Sequence, residues 1–470
     1  MEDRLNELPK GWVLTKIGDV ISNVPLTGKK VKQSAYQATG EYPVIDQGQA
    51  FIGGYTDKEE FKISSDTPLI IFGDHTKVFK YIDFQFVAGA DGVKVIKPEE
   101  IFYPKLFYYF AQAIPLPEKG YARHFQWLEK SFIPLPPLPE QHRIVAKIEE
   151  LFTRLDAGVE TLKKIKAQLK RYRQAVLRYA FEGKLTQQWR EAHKGELEPA
   201  SVLLERIKEQ RKKEAKGKFK ELPPVDTSEL PKLPEGWMWA RVGNVSKMIQ
   251  YGTSEKAGED SNGIPVIRMG NILDGKIVLD ELKYFPKEWP QLGDFILQDG
   301  DVLFNRTNSM ELVGKTAVYK NYHPKAVFAS YLIRVRLEEN SYSPELLSFF
   351  INSFYGRKYI SSVVSQQVGQ ANVNGTKLSL MPIPLIPLPE QHKIVEEIEG
   401  RFSIADNIEK VVDQSLKQAE RLRQSILKRA FEGKLVPQDP TDEPAVKLLE
   451  RIKAEKERHG LNTQKSRRKK

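Results

Sequence analysis

"PLPEQH" stands at Pro137–His142 and again at Pro387–His392, 250 positions further on. The surroundings repeat with it. "IPLPPLPEQHRIVAKIEELF" from Ile133 faces "IPLIPLPEQHKIVEEIEGRF" from Ile383, and at the same shift "RQAVLRYAFEGKL" (Arg173–Leu185) faces "RQSILKRAFEGKL" (Arg423–Leu435). "LLERIKEQRKK" from Leu203 and "LLERIKAEKER" from Leu448 follow; "LPKGWVLTKIGDV" from Leu8 and "LPEGWMWARVGNV" from Leu233 precede. Three matches in one order make the chain a tandem duplication. Each copy has a globular stretch, opened by "LPxGW" and closed by "PLPEQH", and then a charged helical stretch. The helical parts agree closely and the globular parts hardly at all, so one scaffold carries two different heads.

From Glu140 to about Tyr179 no proline interrupts the chain. Apolar residues recur at Ile144, Ile148, Leu151, Leu155, Val159, Leu162, Ile165, Leu169, Tyr172 and Val176, steps of three and four that predict one long amphipathic helix. The second copy repeats them at Ile394, Ile398, Phe402, Ala405, Ile408, Val412, Leu416, Ala419, Leu422 and Ile426. Each helix spans about 60 Å at roughly 1.5 Å per residue. A narrow stripe needs a partner, so the two helices are expected to pair as a coiled coil. "PLPEQ" reads as the helix start, its prolines holding the chain extended and its Glu complementing the free amides of the first turn. "FEGKL" reads as the stop, with Gly183 and Gly433 at the caps. His142 and His392 then belong to a structural motif. Short links make the helices antiparallel, with a head at each end, a pseudo-two-fold relation and a nearly circular layout.

The chain of 470 residues exceeds one hydrophobic core and has no cysteine, which excludes disulfides and thiolate metal sites. The charged opening "MEDRLNELPKGW" is unlike a signal peptide, and no apolar run reaches membrane-spanning length, so a cytoplasmic protein is expected. The net charge of +11 points to a polyanionic partner, with nucleic acid foremost.

Both heads read as α+β: short strands broken by Gly and Asp turns, then one or two short helices. Their polar loops hold the candidate DNA-binding residues. Head one offers Lys29, Lys30, Lys32, Gln33, His75, Lys77, Arg123 and His124. Head two offers Tyr251, Lys256, Arg268, Asn271, Asn305, Arg306, Asn308, Gln370 and Asn372. Arg, Lys, Asn and Gln can make paired hydrogen bonds to guanine and adenine edges. Each residue taken alone also suits an ordinary surface loop or Asx turn; the set, with the charge and the duplication, reads as DNA recognition.

"GNILDGKI" (Gly270–Ile277) has the Gly and Lys spacing of a phosphate-binding loop but ends in Ile, and a hairpin through Asp274–Gly275 accounts for it better. No Ser–His–Asp or metal-ligand spacing stands out, so catalytic and metal residues are expected to be absent. A nucleotide-hydrolysing chain built on "GNILDGKI" and a coiled-coil scaffold whose heads bind other proteins are the alternatives.

Two variable heads, each closed by "PLPEQ" and followed by a helix ending in "AFEGKL", resemble the specificity subunit of type I restriction–modification systems over essentially the whole chain. "GDVLFNRTNS" with "QANVN" resembles that family's target recognition domains. The resemblance implies target recognition domains at 1–138 and 232–388 and repeated helical regions at 139–231 and 389–470, the last with a basic tail, "KSRRKK". It implies that each head reads one half of a split, asymmetric site in double-stranded DNA. The helices would set the gap and dock two methyltransferase (modification) subunits, which restriction subunits join. This chain would bind no cofactor itself; S-adenosylmethionine, ATP and Mg would sit on the partner subunits.

Overall fold

The computed structural model describes residues 8–89, 91–118, 120, 122–214, 221–322, 325–367, 370–451 and 454. The tail "KSRRKK" and most of the second "LLERIKAEKER" beyond Arg451 lie outside them. The chain divides into two compact units: Met1–Lys163 with Asp413–Lys470, and Lys164–Val412. The first long helix (Leu138–Phe181) and the second (Leu388–Phe431) each give one part to each unit. Among the described residues no helix is long and apolar enough to cross a membrane.

The two units are built alike. In unit 1 the opening strand Val13–Lys16 lies antiparallel to the closing strand Phe132–Leu135, with Val13 opposite Leu135. Unit 2 repeats this with Met238–Arg241 and Pro382–Leu385, Met238 opposite Leu385. A four-stranded antiparallel sheet follows in each. Its order is Ile21–Asn23, Val93–Pro98, Leu69–Gly73, Phe79–Ile82 in unit 1 and Ser246–Tyr251, Leu332–Leu337, Val302–Asn305, Thr316–Val318 in unit 2. Each head adds a mixed sheet with a parallel core: Phe86–Gly89 lies parallel to both Tyr42–Ile45 and Lys30–Val31 in head one, and Ile264–Ile267 lies parallel to Val327–Phe328 in head two. A helix begun by proline, Pro104–Gln112 or Pro344–Asn352, closes the core; proline suits a first turn whose amides lack carbonyl partners. The α+β expectation therefore holds for both heads. The hairpin expectation holds too. Ile272–Leu273 pairs with Lys276–Ile277, and Asp274 and Gly275 both have positive φ, 49° and 78°, as a two-residue turn of that hand requires.

The repeated motifs meet at one junction in each unit. Trp12 of the first "LPxGW" donates its indole N–H to Glu140 Oε2 at 2.9 Å, and Trp237 of the second donates to Glu390 Oε2 at 2.7 Å. Both carboxylates are buried in the first turn of a long helix. The next residue locks that turn to the head. Gln141 donates to the Ile101 and Pro136 carbonyls and accepts from Tyr103 N; Gln391 donates to those of Ser341 and Ile386 and accepts from Ser343 N. Against each junction lies the end of the other copy's helix. Gly183 and Gly433 adopt φ of 69° and 67° and close Schellman caps, Lys184 N on Tyr179 O and Lys434 N on Arg429 O. A Cβ at Gly433 would stand 2.2 Å from Pro9 Cγ, and one at Gly183 would stand 2.2 Å from Pro234 Cγ. These two glycines therefore serve both the left-handed cap and the close approach of the "LP" segment. The third repeat docks on the same place: Ala200 N donates to Gly236 O and Ala445 N to Gly11 O, each at 2.9 Å.

Pairing of the helices is antiparallel in both units. In unit 2, Arg173 reaches Asp406 and Glu409, each at 2.8 Å, while Lys166 lies 4.0 Å from Glu409. In unit 1, the repeat equivalents Arg423 and Asp156 form the corresponding pair. The seam is narrower than the periodicity suggests. Leu169, Val176, Ala405, Val412, Ala419 and Ile426 are buried, but Tyr172, Ile408 and Leu422 from the expected stripe are exposed. Two helices in contact cover only a strip of each other, with Ala405 and Ala419 among the buried positions along it.

The two junctions differ in what surrounds the carboxylate. Glu390 Oε1 also accepts from Thr186 Oγ1 at 2.8 Å and from Arg190 Nη1 at 3.0 Å. Val436 and Pro440 stand at the repeat equivalents of those donors, and Glu140 Oε1 is buried without a partner. Burial pushes the Glu140 carboxyl above the usual carboxylate range, against the pull of Trp12 and Arg143. Its folded value exceeds its unfolded one, so whatever stability the proton confers is lost as pH rises through that window. Glu140→Gln keeps an acceptor for Trp12 and removes the charge. It should leave the melting temperature at pH 7 unchanged or higher, and the difference from wild type should vanish on acidification. Glu390→Gln strands Arg190 and should cost roughly 2 kcal/mol, less than a fully buried pair because Arg190 keeps a solvent-facing edge. Calorimetry of both variants at several pH values tests the contrast.

Candidate nucleic-acid interface

In head two, three strands of the four-stranded sheet end or begin together. Ser246–Tyr251 finishes, Leu332–Leu337 starts, and Val302–Asn305 runs out into Arg306. The chain then forms Thr307–Asn308, which pairs with Gln370–Asn372, and that strand pairs with Ser365–Gln367. This small sheet brings five candidates together: Tyr251, Arg306, Asn308, Gln370 and Asn372. The Arg306 guanidinium lies 4.9 Å over the Tyr251 ring and donates from Nη1 to Ser330 O at 3.2 Å. Tyr251 Oη accepts from Gly375 N at 2.7 Å, which fixes the ring beneath the cation. Asn372 Nδ2 donates to Thr307 Oγ1 at 2.6 Å, and Asn308 Oδ1 accepts from Ser309 N at 2.8 Å. Gln370 is exposed, as is Lys256 five residues beyond Tyr251.

Three candidates in this head serve the fold instead. Asn305 ends the central strand and is buried at 1% exposure, because the strand runs one residue further than the apolar run "DVLF". Asn271 is buried with its amide fully used: Oδ1 accepts from Arg268 N, while Nδ2 donates to Val278 O at 3.0 Å and Asp280 O at 2.9 Å. Arg268 closes the same clasp by donating to Glu281 O at 2.6 Å. Arg306 is also more constrained than a free base-gripping fork. Its Nε is buried without a partner, which takes the Nε–Nη2 edge out of reach of a base and leaves the Nη end.

Head one arranges the same positions differently. His124 N donates to Asp74 O at 2.8 Å, as Val373 N donates to Arg306 O at 2.9 Å in head two. Asp74 Oδ1 also accepts from Phe125 N at 2.7 Å. His124 is a correction: its imidazole is fully buried, with Nδ1 3.0 Å from Asp74 O, so it anchors a loop and reads no base. Arg123, its neighbour, is exposed. His75 and Lys77 sit half-buried in the turn after Leu69–Gly73, Lys77 with φ of 59°. Lys29, Lys30, Lys32 and Gln33 are exposed around Lys30–Val31, the short strand parallel to Phe86–Gly89.

Several organising residues escaped the sequence reading. Gln47 accepts from His75 N at 3.3 Å through its side chain and from Thr76 Oγ1 at 2.7 Å through its carbonyl. Lys80, 3% exposed, ties the neighbouring loop by donating to Asp46 O at 2.8 Å and Ala50 O at 2.6 Å. Burial lowers its ammonium pKa, and Asp46 opposes the shift. In head two, Arg357 donates to the carbonyls of Met310, Glu311 and Val313 and holds the turn beyond Asn308. Only "KVFKYIDF" hinted at Lys80, as a lysine at an inward position of a strand. Among the described residues no His, Asp and Glu group could hold a metal ion.

Comparison with known proteins agrees with this layout. Residues 9–171 and 234–418 match the family described as type I restriction modification DNA specificity domain. The type I restriction enzyme EcoKI specificity subunit of Escherichia coli K12 is 28% identical over 491 residues, with 97% of each chain covered. The StySPI specificity subunit of Salmonella potsdam is 27% identical over 486 residues, with 96% of each covered. A solved structure described as the basis of complex assembly and conformational transition of the type I R-M system shares the fold. Its TM-score is 0.57 at 20% identity, covering 91% of this chain and 99% of that one. With a match in each copy, one on each head and its helix, the chain belongs to the family of type I restriction–modification specificity subunits and carries two target recognition domains in tandem.

Proposed function

We propose that the chain selects a bipartite, asymmetric DNA site, one half read by each head, for a type I methyltransferase and endonuclease complex. The observation that carries this reading is the duplicated junction. Trp12–Glu140 and Trp237–Glu390 hold two heads on equivalent frames, while the loops at Asp74–Lys77 and Arg306–Asn308 present different chemistry. Equivalent frames with unlike loops suit a split site whose halves differ. Phosphate contacts from Lys29, Lys30, Lys32, Lys77, Arg123 and Lys256 supply affinity, and Arg306, Asn308, Gln370 and Asn372 supply base readout. The long helices set the gap between halves and dock two methyltransferase subunits. Those subunits would hold S-adenosylmethionine and flip the target adenine; restriction subunits would bring ATP and Mg. The chain itself performs no chemistry. Lys276, the lysine of the false phosphate loop, pairs with Asp406, and an isolated chain should not hydrolyse ATP.

Co-expression with the cognate methyltransferase subunit and mapping of methylated adenines by long-read sequencing tests the function; a scatter of unrelated sites would overturn it. Deleting one heptad from each helix should shorten the gap by roughly 10 Å, about three base-pair steps, with both halves unchanged. A changed half-site with the gap intact would defeat the spacing role. Replacing Met1–Phe132 with a relative's head should alter one half only. Arg306→Ala should weaken specific binding by roughly 1–3 kcal/mol at a fixed salt concentration and leave random duplexes far less affected. Equal losses on both would make Arg306 a phosphate contact.

A further inference from the structure

The second head exposes large apolar side chains beside its polar readers. Met269 is 40% exposed, Met310 41% and Tyr331 45%. Phosphate binding has no use for thioethers, since backbone contacts come from cations, hydroxyls and amides. These residues are not loose ends of the core. Met269 begins the turn held by the Asn271 clasp, and its Sδ lies 3.7 Å from Asn308 Nδ2. Met310 sits two residues past Asn308 in the turn that Arg357 holds through three carbonyls. The Tyr331 carbonyl accepts from Arg306 N at 2.9 Å, which places it at the same end of the sheet. An exposed apolar surface is thus fixed by backbone clasps and interleaved with the amides of Asn308 and Gln370.

Amide and apolar groups side by side match one base pair. In the major groove, adenine offers N6 and N7 to an Asn or Gln amide, and its partner thymine offers a C5-methyl group to an apolar side chain. We propose that head two reads at least one A·T pair by seating the thymine methyl against Met269 and Met310, with the adenine edge towards Asn308 or Gln370. This rests on the DNA-reading function proposed above and adds the chemical class of base that one head selects. Head one differs at the equivalent place. Its loop is Asp74–Lys77 with Arg123 beside it, and its exposed Phe84 lies past the opposite end of the Phe79–Ile82 strand, where it packs edge-to-face on exposed Phe51 with centroids 6.2 Å apart. Dependence on a thymine methyl is therefore assigned to one half-site.

The test uses the complex of the full chain with its methyltransferase subunits, on a duplex carrying the mapped site. The head replacement identifies which half belongs to head two. Each thymine in either half, except one opposite a methylated adenine, is replaced by deoxyuridine, which removes the methyl alone. At least one replacement in head two's half should weaken binding roughly fourfold, the factor corresponding to about 0.8 kcal/mol per buried carbon. Replacements in the other half should have no effect. In the doubly substituted M269Q/M310Q chain, that sensitivity should disappear while the head-one half is still recognised. Head two's half lacking any A·T pair, deoxyuridine having no effect there, or sensitivity surviving in M269Q/M310Q would each overturn the inference with bipartite recognition intact. Loss of sequence-dependent binding by the unaltered complex would overturn the function on which it rests.

Discussion

An indole N–H held by a carboxylate in the first turn of a long helix is the contact on which the arrangement depends. Trp12 with Glu140 and Trp237 with Glu390 each tie the opening segment of a head to the helix that leaves it. A charged acceptor shortens and strengthens the bond, and burial makes its loss expensive. The adjoining glutamine uses both ends of its amide to bind the head's backbone, so helix direction is set relative to the sheet. The C-cap glycine of the opposite helix admits a proline where any Cβ would collide. Three short motifs from different parts of the chain therefore define one joint in each unit. A duplicated chain can use that joint twice because each helix begins at one and ends at the other.

That joint leaves the far side of each head free to vary. The four-stranded sheet keeps its order in both copies, yet the loop after its central strand is Asp74–Lys77 in one and Arg306–Asn308 in the other. Length differences are absorbed in the same region. The opening strands are 225 positions apart and the closing strands 250, so head two spends its extra residues between them. Among the additions is the small sheet that joins Thr307–Asn308 to Gln370–Asn372. It sets two segments of candidate residues side by side on a strand frame, where side-chain positions are more sharply defined than on an open loop.

The copies are not energetically equal. Glu390 is paired with Arg190 and accepts a further hydrogen bond from Thr186, whereas Glu140 keeps one oxygen unpaired and a raised pKa. A buried carboxylate with a single donor has a desolvation cost that its partner only partly offsets. In unit 1 the nearby ion pair is Arg143 with Asp442, at 2.6 Å, which fastens the segment following the second helix without satisfying Glu140. In unit 1 the raised Glu140 pKa makes the joint lose stability as the pH rises through that carboxyl's titration.

Helix length and helix caps were legible in the sequence because each is a local pattern, and the duplication because its motifs recur in one order. A 3.6-residue period, a proline-rich start and a glycine stop declare themselves over a few turns. The meeting of "LPxGW" with "PLPEQ" was not legible, since residues 12 and 140 come together only when the opening and closing strands pair. The candidate site was partly legible for the same reason. Residue type marked Arg306, Asn308, Gln370 and Asn372 as polar loop residues, and the fold does set them side by side. Type could not separate them from Asn271, Asn305 and His124, whose side chains turn inward to hold loops. The direction of a side chain depends on where a strand ends to within one residue, and tertiary pairing decides that. Nor could sequence distinguish Met269 and Met310 from core residues: hydrophobicity is readable from the chain, but exposure exists only once the chain has packed.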